Sequence, residues 1–62
     1  MMEEELRLFL RERGWNLSRR KRGGKEYFYA QKWRCGDAYL CPVSKVEKIT
    51  KDYVLEKLAK AL

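Results

Sequence analysis

Histidine is absent from this 62-residue chain, so the side chain that most often serves as general base near neutral pH is missing. Its carboxylates fall at helix starts, caps and turns, where solvation and helix dipoles account for them. No glycine-rich phosphate loop leads from a strand into a helix, because Gly23-Gly24 joins two strands. An enzyme is therefore not expected, and no small-molecule substrate is evident. Cysteine is scarce as well: Cys35 and Cys41 alone fall short of the four ligands of a structural zinc site, so neither metal nor cofactor is expected. A turn at Gly36-Asp37 would set Cys41 opposite Lys32, about 10 Å along the strand from Cys35 and past the ~7 Å reach of a disulfide. Free thiols are the expectation; the alternative, a disulfide, would need a wider loop over residues 36–40 that abolishes the third strand. No apolar run approaches the ~18 residues of a membrane span. The acidic start Glu3-Glu4-Glu5 is also unlike a signal peptide, which points to a soluble, cytoplasmic protein with no membrane partner.

A chain of this length hides only roughly 60% of its extended surface, which leaves room for one small core in one domain, residues 1–62. The apolar fraction of 45% argues against disorder, although mean hydropathy is −0.72. Net charge is +6 and unevenly placed. Residues 1–6 contribute −3, residues 7–34 contribute +8 and residues 35–62 contribute +1. A clustered excess of this kind attracts polyanions by neutralising phosphates and releasing counterions. The bland alternative is the solubilising charge of a thermophile-like composition.

The sharpest feature is Arg19-Arg20-Lys21-Arg22-Gly23-Gly24-Lys25, with five cations in seven residues around a Gly-Gly turn signal. Strands are expected over 15–21 and 25–34. A turn centred on the glycines pairs Arg22 with Lys25, Arg20 with Tyr27, Ser18 with Tyr29 and Asn16 with Gln31. Partners share a face, so Trp15, Leu17, Phe28 and Ala30 segregate from Asn16, Ser18, Arg20, Arg22, Lys25, Tyr27, Tyr29, Gln31 and Trp33. A slip of one residue would mix the two sets, which favours this register.

Upstream, Leu6, Phe9, Leu10 and Arg13 follow helical spacing over 3–13. Met2 extends the stripe, Leu8 is placed to widen it, and Gly14 ends the helix. Downstream, the Gly36-Asp37 turn leads to a short third strand, 38–41, stopped by Pro42. Ser44 and Glu47 match a capping box for a helical turn at 44–49. Thr50 caps a last helix over 51–61, with Ile49 and Val54 spaced as a hydrophobic staple. Tyr53 or Val54 with Leu55, Leu58, Ala59 and Leu62 forms its apolar stripe. Lys45, Lys48 and Lys51 read as a solvated face. The fold class is α+β, in the order α-β-β-β-α. A three-stranded antiparallel sheet carries both helices on one face and leaves the other open.

The run Gly24-Lys25-Glu26-Tyr27-Phe28-Tyr29-Ala30, followed by Gly36, Tyr39-Leu40 and Pro42, resembles small hairpin-bearing proteins of archaea and their mobile elements, viral or plasmid-borne. The three-stranded sheet with its C-terminal helix also resembles the arm-type DNA-binding domains of tyrosine integrases, which lay the sheet in the major groove. The helix–sheet–helix order is similar to double-stranded-RNA-binding domains. The basic signature of that family's last helix is replaced here by Thr50-Lys51-Asp52-Tyr53-Val54, so the resemblance implies DNA in preference to RNA.

The resulting expectation is a non-enzymatic nucleic-acid-binding domain whose partner is duplex DNA. Arg19, Arg20, Lys21, Arg22 and Lys25 would grip phosphates, which supply affinity. Tyr27, Tyr29, Gln31 and Trp33 would meet bases or sugars by stacking and amide hydrogen bonding, with Asn16 a second amide reader. The alternative is a protein-interaction or homodimerisation module that uses the Tyr27–Tyr29–Trp33 face.

Overall fold

The computed structural model describes residues 1–61. The chain runs α1 (Glu3–Arg11), β1 (Asn16–Arg22), β2 (Lys25–Lys32), β3 (Gly36–Pro42), a 3₁₀ turn (Val43–Lys48) and α2 (Lys51–Ala61). The strands form an antiparallel sheet in the order β1-β2-β3, with β2 in the centre. This is the α-β-β-β-α order that the sequence predicts. Among the described residues, no helix is long and apolar enough to cross a membrane.

Helix α1 opens on three glutamates and ends with Arg11, which suits its dipole. Its exit is a Schellman turn: the Gly14 N–H donates to the Arg11 carbonyl at 3.0 Å and the Trp15 N–H to the Leu10 carbonyl at 2.9 Å. Gly14 carries this turn at φ +83°, a conformation that disfavours a Cβ. The turn delivers Trp15 into the core beside Phe9 and Leu10. The predicted stripe is shorter than expected. Leu6, Phe9 and Leu10 are buried, whereas Met2 and Leu8 are exposed and Met1 packs on the core in their place. Arg13 leaves the stripe and folds its guanidinium over the Phe9 ring, 3.7 Å from the centroid, while donating to the Phe9 carbonyl.

The β1–β2 register is the predicted one from Asn16↔Gln31 to Arg22↔Lys25. The second hairpin differs. Its turn lies at residues 33–35, closed by the Cys35 N–H donating to the Lys32 carbonyl at 3.0 Å. Arg34 sits at φ +66° and Gly36 at φ +91°, so the glycine follows the turn and pairs with Lys32 inside the ladder. Consequently β2 stops at Lys32, Trp33 belongs to the turn, and β3 is seven residues long. A bulge interrupts β2–β3: Phe28 pairs with Cys41 but Tyr29 with Tyr39, which leaves Leu40 as the extra residue. The bulge turns both Leu40 and Cys41 inward, and the Leu40 carbonyl accepts a hydrogen bond from the Tyr53 hydroxyl at 2.6 Å. Pro42 pairs with Tyr27 on an edge strand, where a missing N–H is tolerated.

The core gathers Leu6, Phe9, Leu10 and Trp15 with Phe28, Ala30, Ala38, Leu40, Cys41, Val54 and Leu58. Helix α1 packs on β1 and α2 on β3, both covering the Phe28 face. Thr50 caps α2 through its hydroxyl, which accepts the Tyr53 N–H at 3.1 Å, and Ile49 packs on the core cluster that contains Val54. The Ser44–Glu47 capping box does not form. The segment is a 3₁₀ turn that begins directly after Pro42, without a side-chain cap. Both Tyr53 and Val54 join Leu58 in the α2 stripe, Leu55 and Ala59 are exposed, and Ala61 packs on the core; Leu62 lies outside the described residues.

Two substitutions test these junctions by urea or thermal denaturation. Gly14→Ala should cost about 1 kcal/mol through its left-handed backbone. Tyr53→Phe, which leaves the Leu40 carbonyl without its donor, should cost about 1 kcal/mol as well. Unchanged stability in either variant would contradict the corresponding turn or bulge.

Candidate nucleic-acid interface

The sheet face turned away from the helices is built from alternate residues of all three strands. It carries Asn16, Ser18, Arg20 and Arg22 from β1, and Lys25, Tyr27, Tyr29 and Gln31 from β2. From β3 it receives Asp37, Tyr39 and Pro42. Tyr39 stands directly opposite Tyr29, with ring centroids 5.4 Å apart and planes at 67°, and lies 6.1 Å from Tyr27 at 54°. These edge-on contacts join the three tyrosines into one ridge. Tyr27 and Tyr29 are half-buried, and Tyr39 is 41% exposed. Sequence reasoning missed Tyr39 and Asp37 as members of this face. A turn at residues 33–35 would have revealed them by strand alternation.

Arg20 spans the sheet. Its guanidinium lies 4.3 Å from the Tyr29 ring centroid and donates to the Asp37 carboxylate at 2.6 Å. Cation–π contact and ion pairing hold it flat on the ridge. Arg22 and Lys25 face each other beside the Gly23-Gly24 tip. Among the described residues, no carboxylate lies within 4.0 Å of Lys21, Arg22 or Lys25. Like charges directly opposite on a ladder destabilise it, and an approaching anion would relieve that repulsion. Lys25 also shares a shallow groove of about 520 Å³ with Glu26, Tyr27, Pro42, Val43, Ser44 and Lys45. The structure thus brings Lys45, read from sequence as part of a solvated face, alongside the ridge.

Other expected phosphate contacts fall elsewhere. Arg19 alternates onto the helix-covered side, where it bridges Glu3 at 2.6 Å and Glu26 at 3.7 Å and lies over the edge of the core near Phe28. Lys21 shares that side of the strand, opposite Glu26, yet borders a depression of about 260 Å³ formed with Arg20, Arg22, Tyr27 and Tyr29. Trp33 projects from the β2–β3 turn and is 85% exposed. Gln31 is exposed at the end of β2, opposite Asn16.

Behind the ridge, burial raises the Cys41 thiol pKa above its ordinary value and outweighs the opposing pull of the Met1 amino group. Tyr39 is also raised, first by desolvation among its neighbours, then by Cys41, Tyr53, Tyr27 and Tyr29. Both cysteines are free, Cys35 exposed and Cys41 buried. Comparison with protein families, curated proteins and solved structures finds nothing that matches this chain.

A raised pKa means that the folded state holds a proton which the unfolded state releases. The associated stability is complete below the unfolded pKa, about 8.5 for a thiol, and is lost as pH rises through the folded value. Cys41→Val should therefore flatten the alkaline fall of the melting temperature. Tyr39 contributes less, because its exposed ring is screened by solvent. Thiol alkylation should proceed at once at Cys35 and only on unfolding at Cys41. Rapid modification of both would place Cys41 outside the core.

Proposed function

We propose that this chain is a non-enzymatic nucleic-acid-binding domain that lays the open face of its sheet on duplex DNA. The observation that carries the reading is the union of unpaired cations with an aromatic ridge on one uncovered face. Arg22 and Lys25 meet phosphates at the hairpin tip, with Lys21 beside them and Lys45 flanking the ridge. Arg20, already held by Asp37, supports the ridge as much as it contacts the backbone. Tyr27, Tyr29 and Tyr39 pack against sugars or base edges, and Gln31 and Asn16 supply amides that can pair with adenine. Two strand spacings make a sheet about 10 Å across. The major groove of B-DNA is about 12 Å wide, so the sheet is of a size to enter it. This is the docking mode of the integrase arm domains that the sequence resembles. Arg19 has a structural role in this reading, since both of its acidic partners lie within the domain.

The same tyrosine ridge supports a second reading, homodimerisation or docking of another protein. A face-to-face pairing with the hairpin tips together would bring two sets of Arg22 and Lys25 close together, and charge opposes that geometry. Sedimentation velocity over a wide concentration range separates the readings: a dimer lost on Tyr39→Ala would favour the protein interface.

Anisotropy titration of labelled duplex DNA at several salt concentrations tests the first reading. Replacing Arg22 and Lys25 together by Ala should weaken binding at every sequence and reduce the slope of log K against log salt by about 2. Replacing Arg19 should change stability more than the salt slope. An unchanged slope in the double variant would remove the hairpin tip from the interface.

A further inference from the structure

We propose that the depression at the β2–β3 turn is a binding site for one unpaired nucleotide, so that the domain recognises the point where a duplex passes into single strand. The inference rests on the nucleic-acid reading above and adds a substrate class to it.

The depression, about 420 Å³, is bordered by Asn16, Gln31, Lys32, Trp33, Arg34 and Asp37. Each wall offers something that a nucleotide needs. Trp33 is the most exposed large apolar side chain among the described residues, at 85%. Its indole is free to stack on a base. Asn16 and Gln31 stand opposite each other on the ladder, both exposed. Among the described residues, neither side-chain amide makes a hydrogen bond within the protein. Such paired donor and acceptor groups match a base edge. Arg34 supplies positive charge for the phosphate, whereas Lys32 borders the depression with its ammonium over the Trp15 ring, 5.5 Å from the centroid. The one acid at the rim, Asp37, is neutralised by Arg20 at 2.6 Å, so it does not repel that phosphate. Arg34 holds the turn at φ +66°, where a non-glycine residue is uncommon.

Stacking requires an open base face. Inside a duplex both faces of every base are covered, so Trp33 can be used only by a terminal, extruded or single-stranded base. Position along the sheet fits this division. The cationic tip and the Trp33 turn lie at opposite ends of β2, which is eight residues long and spans about 25 Å. A strand of nucleic acid places successive phosphates about 3.4 Å apart along a helix axis, so several base pairs separate the two ends. The tip then grips duplex phosphates while the turn takes the first nucleotide beyond them.

The test is anisotropy titration of the full chain with three labelled ligands: a blunt duplex, the same duplex with a short single-stranded extension, and that extension made abasic. The wild type should bind the extended duplex on the order of tenfold more tightly than the blunt one. The abasic extension and Trp33→Ala should each abolish this gain, Trp33→Phe should keep most of it, and Gln31→Ala should reduce it. Circular dichroism of the variants checks that an exposed residue leaves the fold intact. Equal binding of blunt and extended duplexes, or a gain that survives Trp33→Ala, would overturn the inference while leaving the duplex interface standing. No binding of any duplex would overturn both. Vesicles containing an anionic lipid form the last arm. A Trp33-dependent blue shift on vesicles, with no response to the extended duplex, would make the turn a membrane contact and contradict the proposal.

Discussion

The structure depends on one arrangement: both short helices pack on the same face of a three-stranded sheet. The Gly23-Gly24 turn sets the register of β2 against β1, and that register decides which face the helices take. Phe28 and Ala30 then lie beneath α1 and α2, fully buried, and the tyrosines are forced to the other side. Among the described residues, no helix lies over them. The open aromatic face is therefore a direct consequence of how a small core is assembled, and its chemistry is the natural place to look for function.

Energetics and function divide along the same line. On the covered face, interactions are apolar or locally neutralised, as with Arg19 between Glu3 and Glu26. Surface ion pairs of this kind add little stability, but they remove Arg19 from the pool of free cations. On the open face, Asp37 is the one acid among the described residues, and it is committed to Arg20. Arg22 and Lys25 remain opposed at the tip in a pairing that folding alone does not favour. An element that conflicts locally with stability is a reasonable pointer to a site.

Much of this was legible in the sequence, for physical reasons. The Gly-Gly pair and the two-residue alternation that follows it specify the first hairpin residue by residue. Thr50 before α2, and Gly14 after α1, mark helix ends through side-chain and backbone chemistry that needs no tertiary context. The second hairpin was not legible to the same degree. Gly36-Asp37 has the composition of a turn, yet the chain turns earlier by placing Arg34 in a left-handed conformation that carries no residue signature. The bulge at Leu40 depends on a partner distant in sequence, the Tyr53 hydroxyl. The displaced turn moved Trp33 off the strand and hid Tyr39 from the open face. Composition groups Arg19 and Lys21 with their neighbours, although alternation places both on the other side from Arg20 and Arg22.

The central claim is that nucleic acid binds the uncovered sheet face. The most direct measurement is a titration of the ¹⁵N-labelled protein with a short DNA duplex, followed by amide chemical shifts. Changes concentrated at Arg22–Lys25, along Tyr27 to Gln31 and at Tyr39, with α1 and α2 quiet, are the expected result. Shifts confined to the helices, or none at low salt, would contradict the account.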